Sequence, residues 1–374
     1  MPPLRRLLRS CVNPVRRALG THTLDPRFDA LAQQVRQLED LVRRTRERAD
    51  GGAGQEPFRF VTLPLPGGGT YDLALPRAAT DVFHEQIESD GAQTETWRFV
   101  IDWVRSGDVV LDMGANIGAV TVPLGRRGAH VHAFELLLDN ARALAAAVER
   151  NGLRDVAVVV GALREGPGCV AFRGHSAWGA VGDAGPLSIA TLSIDDYLEW
   201  ASVPRVDFVK IDIEGSERAA LSGAHRLLTR DSPDVLLESN ACTCGLNGYS
   251  YRDLMTSLAG FGYRLYRVHG GRLCPVDATT VQEIVLTDYF ATTKSEREVR
   301  QRAGRSVSPM TVQEIIESIL TQERENVLHK AFVLANAHRL DPAVVRDSRV
   351  SALLSEWEPL RSEPFFEMLR TGSA

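Results

Sequence analysis

The stretch VVLDMGANIGAV, Val109 to Val120, decides the fold. Val109–Met113 is a short apolar run with one acid near its end, the pattern of a strand buried on both faces. Glycines follow at 114 and 118, and a helical pattern covers 116–127. Further on, Glu135 closes a second strand, HVHAFE. A strand, a glycine turn, a helix and an acid ending the next strand form the nucleoside-binding unit of a Rossmann-like α/β fold. Gly114 and Gly118 let backbone approach a ligand, and Glu135 offers oxygens to ribose hydroxyls. Asp112 ends the first strand, and Asn116 opens the helix. The turn reads D-x-G-x-N-x-G, without the G-x-G-x-x-G that cradles a pyrophosphate. The expected cofactor is therefore a nucleoside lacking pyrophosphate, with S-adenosylmethionine the first candidate. The bland alternative is an ordinary strand-to-helix turn with an Asx cap. The placement of Glu135 speaks against it.

Outward from this unit, helical and strand patterns alternate. Helix 138–150 and strand 155–161 come next. Strand VDFVKID (206–212) precedes helix 216–230, and strand DVLLES (234–239) precedes helix 250–260. YRLYRV and EIVLTD form a closing strand pair. The expected sheet is mainly parallel, with an antiparallel edge and helices on both faces. On the N-terminal side, FRFVTLPLP and TYDLALP flank Gly67–Gly69 as a hairpin, before helices at 81–89 and 94–105. CVAFR and LSIATLS are shorter strands, IDDYLEW a helical turn, and FRGHSAWGAVGDAG a glycine-rich loop long enough to cover a site.

The termini read differently. Phe28, Leu31, Val35, Leu38 and Val42 alternate spacings of three and four, a short heptad seam able to pair with a second copy or lie on its own chain. GGAG at 51–54 is a linker. After residue 292 strand signals vanish. Thr311 and Glu314 are spaced as a capping box, and Val312, Ile315, Ile316, Ile319 and Leu320 make one apolar face. More helix is expected over 323–338 and 342–357. Three regions result: a basic arm and heptad helix (1–54), an α/β domain (55–292) and a helical extension (293–374).

Composition limits the partners. With 374 residues and 44% hydrophobic content a sizeable core is available, and a net charge of −5 gives no case for nucleic acid. Five cysteines without framework spacing suit a reducing, cytoplasmic setting. Cys242 and Cys244 form a C-x-C with no second pair at metal spacing. No apolar run approaches the roughly 20 residues that span a bilayer. Arg5, Arg6, Arg9, Arg16 and Arg17 leave open a peripheral contact with an anionic membrane.

VDFVKIDIEGSE carries the second signal. Lys210, Asp212 and Glu214 alternate, so they share one side if the strand runs that far. Charges ending a buried strand are costly unless they face a ligand or each other. The plain reading is a Lys–Asp ion pair with Glu214 capping a helix. Glu238 ends the next strand. These carboxylates at adjacent strand mouths could orient a substrate hydroxyl, act as a general base or bind a metal; no metal is assigned. His84 on a leading helix and His175 in the glycine-rich loop are further candidate bases, while His132 sits inside a strand as a core residue.

Glu95, Asp112-Met113-Gly114-Ala115-Asn116-Ile117-Gly118, Glu135, Lys210-Ile211-Asp212-Ile213-Glu214-Gly215-Ser216-Glu217 and Glu238 together resemble the FkbM family of S-adenosylmethionine-dependent methyltransferases. The resemblance covers about residues 58–290. It implies a class I methyltransferase sheet and O-methylation of a hydroxyl on a sugar, glycan or secondary metabolite. Leu136, where the family often has proline, and SNACTC after Glu238 depart from its pattern and leave the acceptor open. In the expected reaction Asp212 is the base, Glu238 the alternative, and Lys210 holds the carboxylates or the substrate. Two rivals are an NAD-dependent oxidoreductase, which lacks its glycine pattern here, and a partner-binding protein on an inactive methyltransferase fold, with which Asp112, Gly114, Gly118 and Glu135 disagree.

Overall fold

The computed structural model describes residues 57–77, 82–90, 94–175, 178–182, 187–321, 327–363 and 366–371. The basic arm, the heptad seam at 28–42 and the GGAG linker lie outside these residues. The chain divides into two compact units, residues 58–195 with 205–374, and residues 1–57 with 196–204. As far as it is described, the second is a helical turn and the bend after it, where the Ala201 N–H donates to the Tyr197 carbonyl at 2.8 Å.

The first unit opens with the expected hairpin, β1 (Phe58–Pro64) against β2 (Thr70–Pro76), antiparallel. The strands that follow are β3 (Val109–Met113), β4 (His130–Glu135), β5 (Val156–Val160), β6 (Ala162–Leu163), β7 (Gly168–His175), β8 (Trp178–Gly182), β9 (Leu187–Leu192), β10 (Phe208–Ile211), β11 (Asp234–Asn240), β12 (Arg264–His269), β13 (Arg272–Val276) and β14 (Leu286–Thr292). Eight of them form one sheet, in the order β13-β12-β14-β11-β10-β3-β4-β5. The run from β5 to β11 is parallel, and β14 enters antiparallel between β11 and β12. Successive strands move outward one way from β3 and the other way from β10. Right-handed crossovers then put the connecting helices on opposite faces. This is the expected Rossmann-like α/β sheet.

Apolar runs account for the parallel strands. Val110, Leu111, Val131, Ala133, Phe208, Val209, Val235 and Leu237 are all buried. Toward the edge, Phe99 and Trp103 from helix Glu95–Trp103 meet Phe290 of β14 with ring centroids 4.9 and 4.7 Å apart. Beside them Asp234 accepts from the Trp103 indole (2.8 Å), the Thr292 hydroxyl (2.6 Å) and Lys294 (2.8 Å), so this buried acid is fully partnered.

Several expectations need correction. The helix after β3 is Thr121–Arg126, not 116–127. Asn116 (φ 49°) and Gly118 (φ 95°) occupy the left-handed region, which no helix accepts, so Asn116 belongs to the turn and does not open the helix. Helix 216–230 is two helices, Glu217–Ser222 and His225–Arg230, broken at Gly223-Ala224. The loop FRGHSAWGAVGDAG contributes the antiparallel hairpin β7–β8, part of a second sheet ordered β6-β9-β7-β8. β13 and a helix at Ala241–Leu246 were not anticipated.

After β14 come helices Glu296–Ala303, Val312–Thr321, Val327–Asn336, Pro342–Arg346 and Ser348–Trp357. The second starts with the expected box: Thr311 N–H donates to Glu314 (2.8 Å), and the Glu314 N–H returns to the Thr311 hydroxyl (3.3 Å). On its apolar face Ile316, Ile319 and Leu320 are buried and Val312 is exposed. Residues 342–357 divide at Asp347, which caps the later helix through the Arg349 N–H at 2.9 Å. Among the described residues no helix is long and apolar enough to cross a membrane.

Gly114 has φ 83°, and a Cβ there would stand 1.7 Å from the Asp212 carbonyl oxygen. Gly69 has φ 85° with nothing within 4 Å. Gly69→Ala should therefore cost about 1–2 kcal/mol, the left-handed penalty alone. Gly114→Ala should cost more than about 3 kcal/mol, because strands β3 and β10 must separate. Urea unfolding of the two variants measures the difference.

Candidate active site

Between β3 and β10 the order of the sheet reverses, and the carboxyl ends of the parallel strands face a cavity of about 620 Å³. Asp112, Gly114, Asn116 and Glu135 line it together with Lys210, Asp212, Glu214 and Glu238. Gly118 does not line it. A Cβ there would meet Leu144 Cδ1 at 2.5 Å, so that glycine serves the packing of helix Leu138–Arg150 on the turn.

The turn after β3 is held from below. Gly114 and Ala115 donate their N–H groups to the Phe134 carbonyl at 3.0 and 2.9 Å. Glu135 takes the Asn116 N–H on Oε2 (2.9 Å) and the Leu137 N–H on Oε1 (2.7 Å), leaving each oxygen a second lone pair. Burial pushes the Glu135 carboxyl up to about 7, although these two N–H bonds pull the other way. Among the described residues Asn116 Oδ1, which is buried, has no hydrogen-bond partner.

Charge dominates the opposite wall. Register pairs Asp112 with Lys210, and the ammonium lies 3.5 Å from Asp112 Oδ1, 3.1 Å from Asp212 Oδ2 and 3.1 Å from the Gly114 carbonyl. Burial alone would lower the lysine's pKa, but Asp212 and Asp112 more than offset it and raise it. Asp112 spends its other oxygen on the Thr121 hydroxyl at 2.6 Å. β10 stops at Ile211, so strand alternation does not place Glu214. That residue stands at φ 51° in the turn, and it does not cap the helix after it. Carboxylate oxygens of Asp212, Glu214 and Glu238 nonetheless lie within 4.8 Å of one another. Burial, then Asp212 and Glu217, push Glu214 up to about 8. Burial, then Asp212, Glu214 and Asp288, raise Glu238 well above the carboxylate range.

Asp288 was missed by the sequence reading. It lies on β14 directly opposite Glu238, lines the same cavity, and is pushed up to about 6 by burial and by Asp212. Only the antiparallel register reveals it. Arg267 of β12 also lines the cavity and is ion-paired with Glu283.

Other candidates lie elsewhere. His84 is buried and does not line the cavity; His132 lies within β4, where burial lowers its pKa. His175 lies in β7, and its side chain is outside the described residues. Glu95 lines the cavity, yet its carboxylate accepts the Gly270 and Gly271 N–H groups of the β12–β13 turn and faces Arg305 at 3.7 Å. Cys242 and Cys244 are buried in helix Ala241–Leu246, and burial raises both thiols, which disfavours the thiolate a metal would need.

Residues 112–265 match the methyltransferase FkbM domain family. No curated protein matches the sequence. Among solved structures the chain is similar to a methyltransferase FkbM from Methylobacillus flagellatus KT, at 21% identity, covering 50% of this chain and 44% of that one, with a TM-score of 0.35. It thus spans less than half the length of that protein. A precorrin-6y C5,15-methyltransferase from Geobacter metallireducens GS-15 shows 11% identity over 58% of this chain and 94% of its own, with a TM-score of 0.36. TrmK of M. capricolum, solved with S-adenosylhomocysteine, shows 10% identity over 74% and 99%, with a TM-score of 0.34.

The raised carboxyls make stability depend on pH. Glu135, Glu214 and Asp288 bind protons more tightly folded than unfolded. Their contribution is complete below the unfolded values and is lost as pH rises through about 6, 7 and 8. The ligand-free chain should melt at falling temperature across that window. Glu214→Gln should flatten the upper part of the decline, as calorimetric melts at stepped pH would show.

Proposed function

We propose that this chain, a carrier of the FkbM methyltransferase domain, methylates a hydroxyl of a sugar, glycan or secondary metabolite with S-adenosylmethionine as donor. The observation that carries this reading is that Glu135 and the Gly114–Asn116 turn share one cavity with Asp212, Glu214 and Glu238. The residues fit such a cofactor. Glu135 keeps lone pairs for ribose hydroxyls, Gly114 and Ala115 line the cavity beside it, and Asn116 Oδ1 awaits a donor. Asp112 stands beside that turn.

When bound, the cofactor supplies an electrophilic methyl group. The chain's own work is then to orient the acceptor, exclude water and take up a proton. Asp212, held by Lys210 yet a third exposed in its side chain, is the group placed to accept that proton; Glu238 is the alternative. Lys210 fixes Asp112 and Asp212 relative to each other. The chain's net charge of −5 suits a small molecule or glycan and not nucleic acid as the acceptor. A second reading, favoured by the spacing of Asp212, Glu214 and Glu238, has a divalent cation orient the acceptor. Activity lost to a chelator and restored by Mg²⁺ would select it.

Glu135→Gln should weaken S-adenosylhomocysteine binding by about 1.5–3 kcal/mol, the range for hydrogen bonds to a charged group. Calorimetry on the folded variant is the test, and unchanged affinity removes Glu135 from the ribose site. Asp212→Asn should keep that affinity and lose turnover, assayed with the acceptor found as the metabolite or glycan lacking its methyl increment in a deletion strain. Near-normal turnover would eliminate Asp212 as the base.

A further inference from the structure

Asp212 and Glu214 sit on a turn that does not hold itself. Glu214 occupies the left-handed region at φ 51° without being glycine, and Gly215 follows at φ 97°. Such a backbone persists only where its surroundings over-determine it. Those surroundings are Glu217 and Tyr249, neither of which lines the cavity. Glu217 Oε1 accepts the N–H groups on either side of Glu214, from Ile213 at 3.2 Å and Gly215 at 3.0 Å. Its Oε2 accepts the Tyr249 hydroxyl at 2.7 Å, and that hydroxyl lies 2.9 Å from the Gly215 carbonyl. Both residues are buried. Tyr249 follows the helix Ala241–Leu246 that continues from β11, the strand bearing Glu238. A Cβ on Gly215 would stand 2.4 Å from Asn247 Nδ2 and 2.9 Å from the Thr243 carbonyl, so the turn also lies flush against this segment.

We propose that Glu217 and Tyr249 are positioning residues that set Asp212 and Glu214 relative to Glu238 from outside the cavity. The proposal rests on the methyltransferase reading above. The clamp joins the two strand ends that carry the acidic cluster, so its loss should shift where negative charge falls at the methyl-transfer point while leaving the Glu135 side intact.

Two ligands read this without knowledge of the acceptor. S-adenosylhomocysteine has nothing at the methyl position. Sinefungin carries an ammonium there, so the ratio of their dissociation constants reports how well the carboxylates face that point. The full-length chain should prefer sinefungin. Tyr249→Phe, which removes only the hydroxyl, should leave S-adenosylhomocysteine affinity within about twofold and cut the preference for sinefungin about five- to tenfold, the scale of one hydrogen bond. Asp212→Asn should also cut it. If Tyr249→Phe keeps the wild-type ratio while Asp212→Asn loses it, the clamp does not position the cluster. If Tyr249→Phe weakens both ligands equally, Tyr249 is merely structural and the proposal falls. Should that variant fail to fold, Glu217→Gln is read by the same ratio and the same criteria. A wild-type chain that binds neither ligand defeats the methyltransferase reading itself, a result distinct from a failed clamp.

Discussion

A buried ammonium stands where the order of the sheet reverses. Taking Lys210 out of water is costly, and Asp112, Asp212 and the Gly114 carbonyl make it tolerable. Each belongs to a different part of the site. Asp112 lies next to the last residue of β3 and, through Thr121, fixes the start of the next helix. Gly114 lies in the turn after β3, and Asp212 begins the turn after β10. The lysine is therefore at once a strand residue, a brace for the glycine turn and the counter-charge of the carboxylate facing the cavity. An apolar residue there would leave the fully buried Asp112 without a counter-charge.

One close approach and two strained residues complete this arrangement. Gly114 admits no side chain because the Asp212 carbonyl fills the place of its Cβ, and the paired ends of β3 and β10 bring that carbonyl there. Asn116 and Glu214 both hold positive φ without being glycines, and both line the cavity. Strain stored in pairs around a cavity fits a site that must hold its geometry before a ligand arrives.

Much of this was legible in the sequence, for identifiable reasons. β3 and β4 end where apolar runs meet Asp112, Gly114 and Glu135, so composition alone marks their limits. The helix after β3 was read too early because its periodicity runs back through Asn116 and Gly118, and a left-handed φ leaves no trace in a hydrophobic pattern. FRGHSAWGAVGDAG looked like a loop because its glycines are abundant, whereas β7 is paired with β9 as well as with its own hairpin partner. Asp288 was invisible for a related reason: its meeting with Glu238 is set by antiparallel register across a long sequence separation. Glu95 shows the converse, a motif residue whose carboxylate is taken up by the backbone of a distant turn.

Helix Glu296–Ala303 looks peripheral in the strand count but is threaded into the sheet's own packing. Arg302 lies 5.0 Å over the Trp103 ring, donates to the Trp103 carbonyl at 3.1 Å and pairs with Asp108 at 3.1 Å. Leu273 on β13 gives its N–H to Ser306 at 3.0 Å, so the sheet's edge borrows backbone from the same segment. A gene shortened to end at β14 would not encode a smaller version of the same fold. It would bare an indole and a strand edge at once, inviting pairing with other chains. The length of this protein is thus least free to vary just beyond its last strand, where the strand pattern alone would suggest that it is dispensable.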